Sequence, residues 1–355
     1  MVGENGAGKI TLFDYLTSEI GCKNMEIVNA CVKFSYRAKT HNNIAVSISG
    51  GADSDVMLDL VIRVSKVEGI DLSKFHFIFF DTGIEYEATK RHLDYLEQKY
   101  GIKIERIKAL KPVPLGTKEY GLPFLSKHVS NKISQLQKIN FKWEDKSYKE
   151  LTKEYPNCCK DALRWWCNDY KTNEGFSTTI LNVNYNKWLK EFLIANPPSF
   201  KISDKCCNGA KKNNAKHYAT QNRIDLQLTG IRVAEGGIRS IAYKTCFTEG
   251  DLCDYFRPIQ WFADTDKKEY DELFGVEHSD CYSKYGFKRT GCAGCPFARD
   301  YQDVLEALKI YEPKLYNAVN NIFGQSYEYT RQYRQFAAEM KAREKVNENQ
   351  IMFDM

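Results

Sequence analysis

The sequence predicts an α/β protein with a doubly wound, mainly parallel sheet, an insertion, and a C-terminal helical region that carries a cysteine cluster. Short apolar runs alternate with longer amphipathic segments between residues 44 and 110. This order is typical of parallel strands joined by helices. A Gly-rich turn at residues 49–54 follows the first apolar run and precedes an amphipathic segment, which is where such sheets bind ligands.

Composition limits the class of protein only broadly. The chain has 355 residues, 43% of them hydrophobic, which is enough for one large domain or two smaller ones. A net charge of +5 suits an anionic small substrate as well as a nucleic acid. We see no membrane-length apolar run and no secretory signal, so we expect no membrane partner and a cytoplasmic location. Clustered thiols among the twelve cysteines are then interpreted as metal-binding or redox groups.

The predicted elements follow one another simply in the first third of the chain. Residues 8–37 are predicted to be helical because they contain no proline and only Gly21 inside the segment. The remaining predicted elements are strands at 44–48, 75–80, 102–110 and 224–229, and helices that begin near Val56 and cover 87–100.

These elements suggest three regions. We expect an N-terminal helical segment at 1–40 and a nucleotide-binding α/β domain at 41–255 with an insertion at 113–205. Residues 256–355 would hold a Cys-x-x-Cys region and the C-terminal helices. In the tail, aromatic and apolar residues recur at helical spacing, and Pro313 and Gly324 are expected to punctuate the helices.

The turn at 49–54 has the chemistry of a phosphate-binding loop. Its candidate binding residues are Ser49, Gly50, Gly51, Asp53 and Ser54. The two glycines allow positive φ and a close approach of the backbone to a ligand. Successive N–H groups at a helix N-terminus then point at one anion. The two hydroxyls can donate as well, and the Asp53 carboxylate can hold a Mg²⁺ that is bound to the phosphates. A tight strand–helix turn without a ligand is the alternative.

A second candidate segment follows the second predicted strand. Asp81, Thr82 and Gly83, with Glu85 close behind, come at the carboxyl end of a strand that lies beside the first. Ligands bind at that edge of a doubly wound sheet, so these residues are candidates for contacts with ribose or adenine. A solvated loop with a helix N-cap is the alternative.

Residues 49–54 match the SGGxDS signature of PP-loop enzymes, which belong to the adenine nucleotide alpha hydrolase-like superfamily. Together with residues 81–83, 228–232 and two cysteine pairs, they make most of the chain resemble the sulfonucleotide reductase family. That family acts on phosphoadenosine phosphosulfate (PAPS) or adenosine phosphosulfate (APS). The residues around the cysteine pairs resemble those of PAPS-reductase-like proteins from phages and mobile elements. The resemblance implies PAPS, APS or ATP as substrate, with Mg²⁺ accompanying the nucleotide.

The resemblance also implies a substrate-phosphate segment at Gly230, Arg232 and Arg239. A guanidinium group binds phosphate or sulfate oxygens bidentately. Ion pairing at the surface, with Glu235 as partner, is the alternative.

Four cysteines resemble the ligand set of the four-iron four-sulfur cluster in APS-type reductases: Cys206, Cys207, Cys292 and Cys295. Four thiolates also suit a structural zinc, so zinc and the absence of a metal remain alternatives. Sulfite-forming members of the family carry a nucleophilic cysteine after the Cys-x-x-Cys pair, whereas no cysteine follows Cys295. The catalytic residue is therefore left unassigned.

Because no cysteine follows Cys295, three functions stay open. The first is a PAPS/APS reductase-like oxidoreductase that needs a reductant protein. The second is an ATP pyrophosphatase-type enzyme that transfers sulfur to nucleic acid, as in DNA phosphorothioation or tRNA thiolation. The third is a non-catalytic adaptor with a structural zinc. Residues 3–9 also resemble a Walker A loop, but Ile10 stands where Ser or Thr is needed, so we expect that segment to be dispensable.

Overall fold

The computed structural model describes residues 10–236 and 243–353, with side chains as far as Lys345. The chain divides into two compact units. The sheet unit comprises the chain up to Leu110 together with Lys211–Gly291, and the helical unit comprises Lys111–Ala210 and Cys292–Met355. This division differs from the boundaries at 40 and 255 that the sequence suggested, because the insertion groups with the end of the chain.

The described residues of the sheet unit form six strands. They are β1 (Ile44–Ser47), β2 (Phe75–Asp81), β3 (Glu105–Lys108), β4 (Leu226–Thr229), β5 (Phe247–Thr248) and β6 (Asp254–Phe256). Their order is β3-β2-β1-β4-β6-β5, and every pair is parallel except β5 with β6. The predicted mainly parallel sheet is therefore confirmed. The chain winds to one side of β1 and later returns on the other, which makes β1/β4 the switch point where ligands bind.

The helices of the sheet unit are Leu12–Asp14, Met25–Thr40, Ala52–Glu68, Glu87–Tyr100, Asn213–Gln221, Asp264–Phe274 and Asp280–Ser283, with 3-10 turns at Leu72–Lys74 and Val233–Glu235 and a π turn at Tyr15–Glu19. The helical segment predicted over 8–37 is interrupted at residues 20–24. Gly21 has φ 73°, and the Asn24 side chain caps a new helix by accepting the N–H groups of Glu26 and Ile27. An Asn at this position stabilises a helix start and so separates the segments.

The sheet unit has a large core and a smaller cluster that includes Ala45 and Ile78. Ile44 and Val46 of β1 are fully buried against the apolar face of Ala52–Glu68. Phe34 and Tyr270 belong to the same core, so the helices Met25–Thr40 and Asp264–Phe274 are part of this unit. This burial explains why the structural division extends beyond the predicted domain at 41–255.

The helical unit has a separate aromatic core. In its first segment the helices are Val113–Tyr120, Lys127–Gln137, Tyr148–Glu154, Lys160–Trp166 and Leu189–Ala195, with a 3-10 turn at Val183–Tyr185. A π turn, Asn208–Lys212, lies at the end of that segment. In its second segment the helices are Tyr301–Tyr311 and Pro313–Phe353. Trp165 and Trp166 of the insertion are fully buried in a cluster that includes Tyr329 from the last helix.

The last helix runs without a break through Gly324, which the sequence suggested would punctuate it. A glycine inside a helix costs about 1 kcal/mol relative to alanine. Phe323 and Tyr327 on either side are both buried, and their burial outweighs that cost. Within the part of the chain that the structure describes, no helix has the length and apolar character needed to span a membrane.

Candidate nucleotide-binding site

The predicted phosphate loop lies between β1 and the helix Ala52–Glu68, at the switch point of the sheet. Gly50 has φ 66°, and a Cβ added there would lie 2.6 Å from Cγ2 of Thr89. A Cβ on Gly51 would lie 2.8 Å from Oγ1 of Thr290. At Gly50 the positive φ and the short contact together require glycine, whereas a side chain at Gly51 would force Thr290 to shift.

The two serines of the loop hold its shape. Oγ of Ser54 accepts the backbone N–H of Ser49 at 3.2 Å and the Ser49 hydroxyl at 3.1 Å. It also donates to the Gly51 carbonyl at 2.8 Å. Ser54 is buried, whereas Ser49 is exposed. The buried serine therefore closes the turn, and the exposed one is available to a ligand.

Gly230, just after β4, touches the loop from the neighbouring strand. A Cβ on Gly230 would lie 2.7 Å from the carbonyl oxygen of Asp53 and 3.0 Å from Cα of Ser54. These are backbone atoms of the first turn of a helix, which cannot give way easily. Gly230 therefore sets the distance between β4 and the loop.

Arg232 and Asp53 contact one another in the structure. Nε of Arg232 donates to Oδ1 of Asp53 at 2.8 Å, and Nη1 donates to Oδ1 of Asp264 at 2.9 Å. Burial raises the pKa of Asp53 above its usual value, and the positive charge of Arg232 opposes that rise. Their predicted contacts with phosphate and Mg²⁺ therefore stay predictions. Glu235 pairs instead with Arg289, at 2.7 Å, and Arg239 lies outside the described residues.

The second candidate segment forms a closed local loop. Oδ1 of Asp81 accepts the N–H of Gly83 at 2.8 Å. Oε1 of Glu85 accepts both the N–H of Thr82 at 3.0 Å and its hydroxyl at 2.5 Å. Asp81, Thr82 and Gly83 do not line the cavity described next. Their role in binding ribose or adenine stays a prediction.

A cavity of about 550 Å³ opens beside the phosphate loop, a size suited to a small-molecule ligand. Its walls include the loop and, at the β4 end, Gly230 and Arg232. Four further basic residues line it: Lys267, Lys268, Lys288 and Arg289. Four carboxylates also line the cavity: Asp53, Glu235, Asp264 and Asp271. The loop and the helix N-terminus behind it, rather than the net charge of the walls, therefore favour an anionic ligand.

Sequence reasoning missed the wall formed by residues 264–290. Besides the four basic residues, His278, Tyr282 and Thr290 line the cavity. Charged residues on helices are usually solvated and carry no functional signal in a single sequence. Residues 289–291 directly precede Cys292 of the predicted cysteine cluster, and that part of the sequence suggested a family rather than a binding role.

Tyr282 covers the start of the phosphate-loop helix. Its hydroxyl accepts the backbone N–H of Ala52 at 2.9 Å and lies 3.1 Å from Oγ1 of Thr290. The N–H of Ala52 belongs to the first turn of a helix, which has no acceptor within the helix. The Tyr282 hydroxyl therefore takes a position that suits a phosphate oxygen.

We predict that Tyr282→Phe tightens nucleotide binding, because it removes a competitor for the Ala52 N–H. One neutral hydrogen bond is worth about 1 kcal/mol, so the gain should be about fivefold in Kd, measured by calorimetry. Tyr36→Phe, at an exposed tyrosine of the same unit, is the control. Weaker binding by Tyr282→Phe would show instead that this hydroxyl is itself a ligand of the nucleotide.

The four candidate cluster cysteines all fall in the helical unit. A hydrogen bond with the Cys207 side chain raises the pKa of the buried Cys206, and burial raises it further. The negative charges of Cys207, Cys295 and Cys292 add to the rise. Cys206 therefore lies within electrostatic reach of the other three thiols.

The fit to a metal is incomplete. Among the described residues, no group of three or more His, Cys, Asp or Glu side chains is arranged to hold a metal ion. The donor set is nevertheless that of an iron–sulfur cluster or a structural zinc. The ligand assignment and the cluster itself therefore both stay proposals.

Comparison with known proteins bears directly on the family. Residues 43–160, about a third of the chain, match the model of the phosphoadenosine phosphosulfate reductase domain family. This segment is thus similar to the family that the motifs at residues 49–54 and 81–83 resemble. A stretch of 119 residues is 32% identical to an uncharacterized protein of Methanocaldococcus jannaschii. That stretch is 34% of this chain and 23% of the relative, so the match spans about a quarter of that protein.

Three solved structures are similar at low identity. A PAPS reductase from Candida auris, in a phosphate complex, has a TM-score of 0.40 at 12% identity, covering 82% of this chain and 98% of its own. A U34-tRNA thiolase from Methanococcus maripaludis with its four-iron four-sulfur cluster scores 0.33 at 12% identity, covering 87% and 79%. An NH₃-dependent NAD synthetase from Campylobacter jejuni scores 0.33 at 13%, covering 86% and 95%. Similarity at this level supports no inference about activity, and none of the matches bears on a phage origin.

Proposed function

We propose that the sheet unit binds an adenine nucleotide in the cavity beside residues 49–54, and that the chain is an enzyme of sulfur metabolism. One observation carries the proposal: Gly50 and Gly230 leave no room for side chains at a loop that lines the cavity and begins a helix. Such a loop presents backbone N–H groups to an anion at closest approach. The match of residues 43–160 to the PAPS reductase domain family supports a nucleotide as that anion.

Each part of the site has a separate task in this proposal. The loop N–H groups and the Ser49 hydroxyl bind phosphate oxygens, and Lys288 and Arg289 at the rim neutralise charge. Arg232 holds the Asp53 carboxylate in one orientation through the contact at 2.8 Å. The other oxygen of that carboxylate is then directed for a Mg²⁺ that accompanies the nucleotide.

The proposal assigns the helical unit a four-iron four-sulfur cluster, with a structural zinc as the alternative. Cys206, Cys207, Cys292 and Cys295 would hold it, since the other three thiols act electrostatically on Cys206. Such a cluster would supply an iron centre for one-electron or Lewis-acid chemistry.

Two reactions fit this site. A sulfonucleotide reductase must attack sulfur with a thiolate and then be reduced by a partner protein. In the described part of the chain, no cysteine lines the cavity. This observation favours the second candidate, in which ATP is cleaved to AMP and pyrophosphate during sulfur transfer to an acceptor such as nucleic acid.

The products formed from each nucleotide distinguish the two candidate reactions. We predict that labelled ATP gives AMP and pyrophosphate in the presence of a sulfur donor and acceptor, and that PAPS and APS release no sulfite with thioredoxin. Brisk sulfite release would instead establish the reductase reaction and contradict the ATP-dependent one. If all three nucleotides are bound but none is consumed, the enzyme proposal is wrong and an adaptor role remains.

A further inference from the structure

A chain of charged side chains links the phosphate-loop helix to the wall of the cavity. Asp55, on the helix Ala52–Glu68, is completely buried. Its Oδ2 lies 2.9 Å from Nδ1 of His278. Nε2 of His278 lies 3.1 Å from Oδ2 of Asp271 and 3.0 Å from Nζ of Lys267. Both His278 and Lys267 line the cavity.

The two neighbours of Nε2 select opposite protonation states of the imidazole. A carboxylate oxygen only accepts hydrogen bonds and an ammonium group only donates them. Nε2 can therefore donate to Asp271 only when His278 is protonated, and it can accept from Lys267 only when His278 is neutral. Nδ1 keeps its proton in both states because Asp55 requires a donor there.

Lys267 also donates to Oδ2 of Asp271 at 2.6 Å, so one of its three N–H donors is engaged whatever the state of His278. We propose that His278 is a positioning residue whose proton decides how many of the remaining Lys267 donors can bind the phosphates of the nucleotide. The inference rests on the proposed nucleotide site and adds a pH-dependent control of it. With His278 protonated, its Nε2–H shares Oδ2 of Asp271 with Lys267, and the other two Lys267 donors stay available to a ligand in the cavity. With His278 neutral, Lys267 donates to Nε2 and one donor is withdrawn from the phosphates.

The surroundings of His278 place the loss of its proton in the alkaline pH range. Burial lowers the pKa of His278, but the hydrogen bonds that its ring donates to Asp271 and Asp55 and the charge of Asp55 outweigh that effect and raise the pKa to about 9. Lys267 opposes the rise. The other groups that face it are the Tyr282 ring, 5.8 Å away, and His92, which shares Oδ2 of Asp55 at 3.0 Å.

The raised pKa of His278 determines how nucleotide affinity changes with pH. A group whose folded-state pKa is raised stays protonated at neutral pH and loses its proton as the pH passes 9. Nucleotide affinity should therefore be constant near pH 7.5 and fall above about pH 8.5. If only the protonated form binds well, Kd rises about fourfold between pH 7.5 and 9.5.

The test is calorimetric titration with ATP and with PAPS, since both keep a constant phosphate charge between pH 7.5 and 9.5. We expect the full-length protein to show the fourfold rise. Lys267→Met should bind more weakly at pH 7.5 and lose the pH dependence. His278→Gln should lose the pH dependence too. Lys66→Met, at an exposed lysine outside the cavity, should keep it.

A second readout does not depend on binding. The His278 imidazole should titrate near pH 9 by NMR of histidine-labelled protein, with a higher pKa when nucleotide is bound. This measurement and Lys267→Met keep the test decisive if His278→Gln folds poorly.

Two results would overturn the inference while leaving the nucleotide site intact. One is tight binding with the same Kd from pH 7.5 to 9.5, and the other is a rise in Kd that Lys267→Met retains. Failure of the unmodified protein to bind ATP or PAPS at pH 7.5 would instead overturn the proposed function, and the inference with it.

Discussion

Gly230→Ala is expected to weaken nucleotide binding by about ten- to a hundredfold. The added Cβ would lie 2.7 Å from the Asp53 carbonyl oxygen, in the first turn of the loop helix. Overpacking of this kind costs about 1–3 kcal/mol, and the loop can relieve it only by moving. A displaced loop no longer directs its N–H groups at the phosphates, so the cost appears as lost affinity.

The matched control is Gly324→Ala in the helical unit, where a Cβ would have nothing within 4 Å. It adds the same methyl group and should leave Kd unchanged. Circular dichroism must show that Gly230→Ala is folded before its affinity is compared. Unchanged nucleotide affinity in folded Gly230→Ala would mean that the ligand does not approach this loop.

Cys292→Ser and Cys295→Ser are each expected to remove most of the bound iron and to lower solubility. Four thiolates would share the cluster, and metal binding is coupled to folding. Anaerobically purified protein should be brown, with roughly four irons and four sulfides per chain. Iron, sulfide and zinc assays with a visible spectrum measure this directly.

Cys159→Ser is the control, since Cys159 is an exposed thiol of the same unit that the proposal leaves free. It should keep the full iron content. Stoichiometric zinc without sulfide would replace the cluster with the structural metal. Iron that survives both Cys292→Ser and Cys295→Ser would show that these residues are not ligands.

The sequence predicted the parts of the fold that depend on neighbouring residues. β1 and β2 lie within one residue of the predicted strands because each is a short, almost wholly apolar run bounded by polar turns. The loop at 49–54 was predicted because glycine at a strand–helix junction has few structural uses. Glu105–Lys108 proved shorter than predicted, since its residues are largely exposed and periodicity constrains such an edge strand weakly.

The parts of the fold and of the site that the sequence did not predict depend on contacts between residues far apart in the chain. The pairing of Arg232 with Asp53 and Asp264 could not be predicted, because a phosphate clamp and a buried ion pair look alike in sequence. The Asp55–His278–Lys267 chain joins residues more than 200 positions apart. Aromatic contacts such as Phe192 with Tyr333 regroup the insertion with the last helix for the same reason.

The most direct test of the nucleotide site is calorimetric titration of the folded, unmodified protein with ATP, APS and PAPS at pH 7.5, with and without Mg²⁺. We predict that at least one of these three nucleotides binds at a single site per chain and that removal of Mg²⁺ weakens the binding. Absence of binding by all three, in protein shown to be folded, would contradict it.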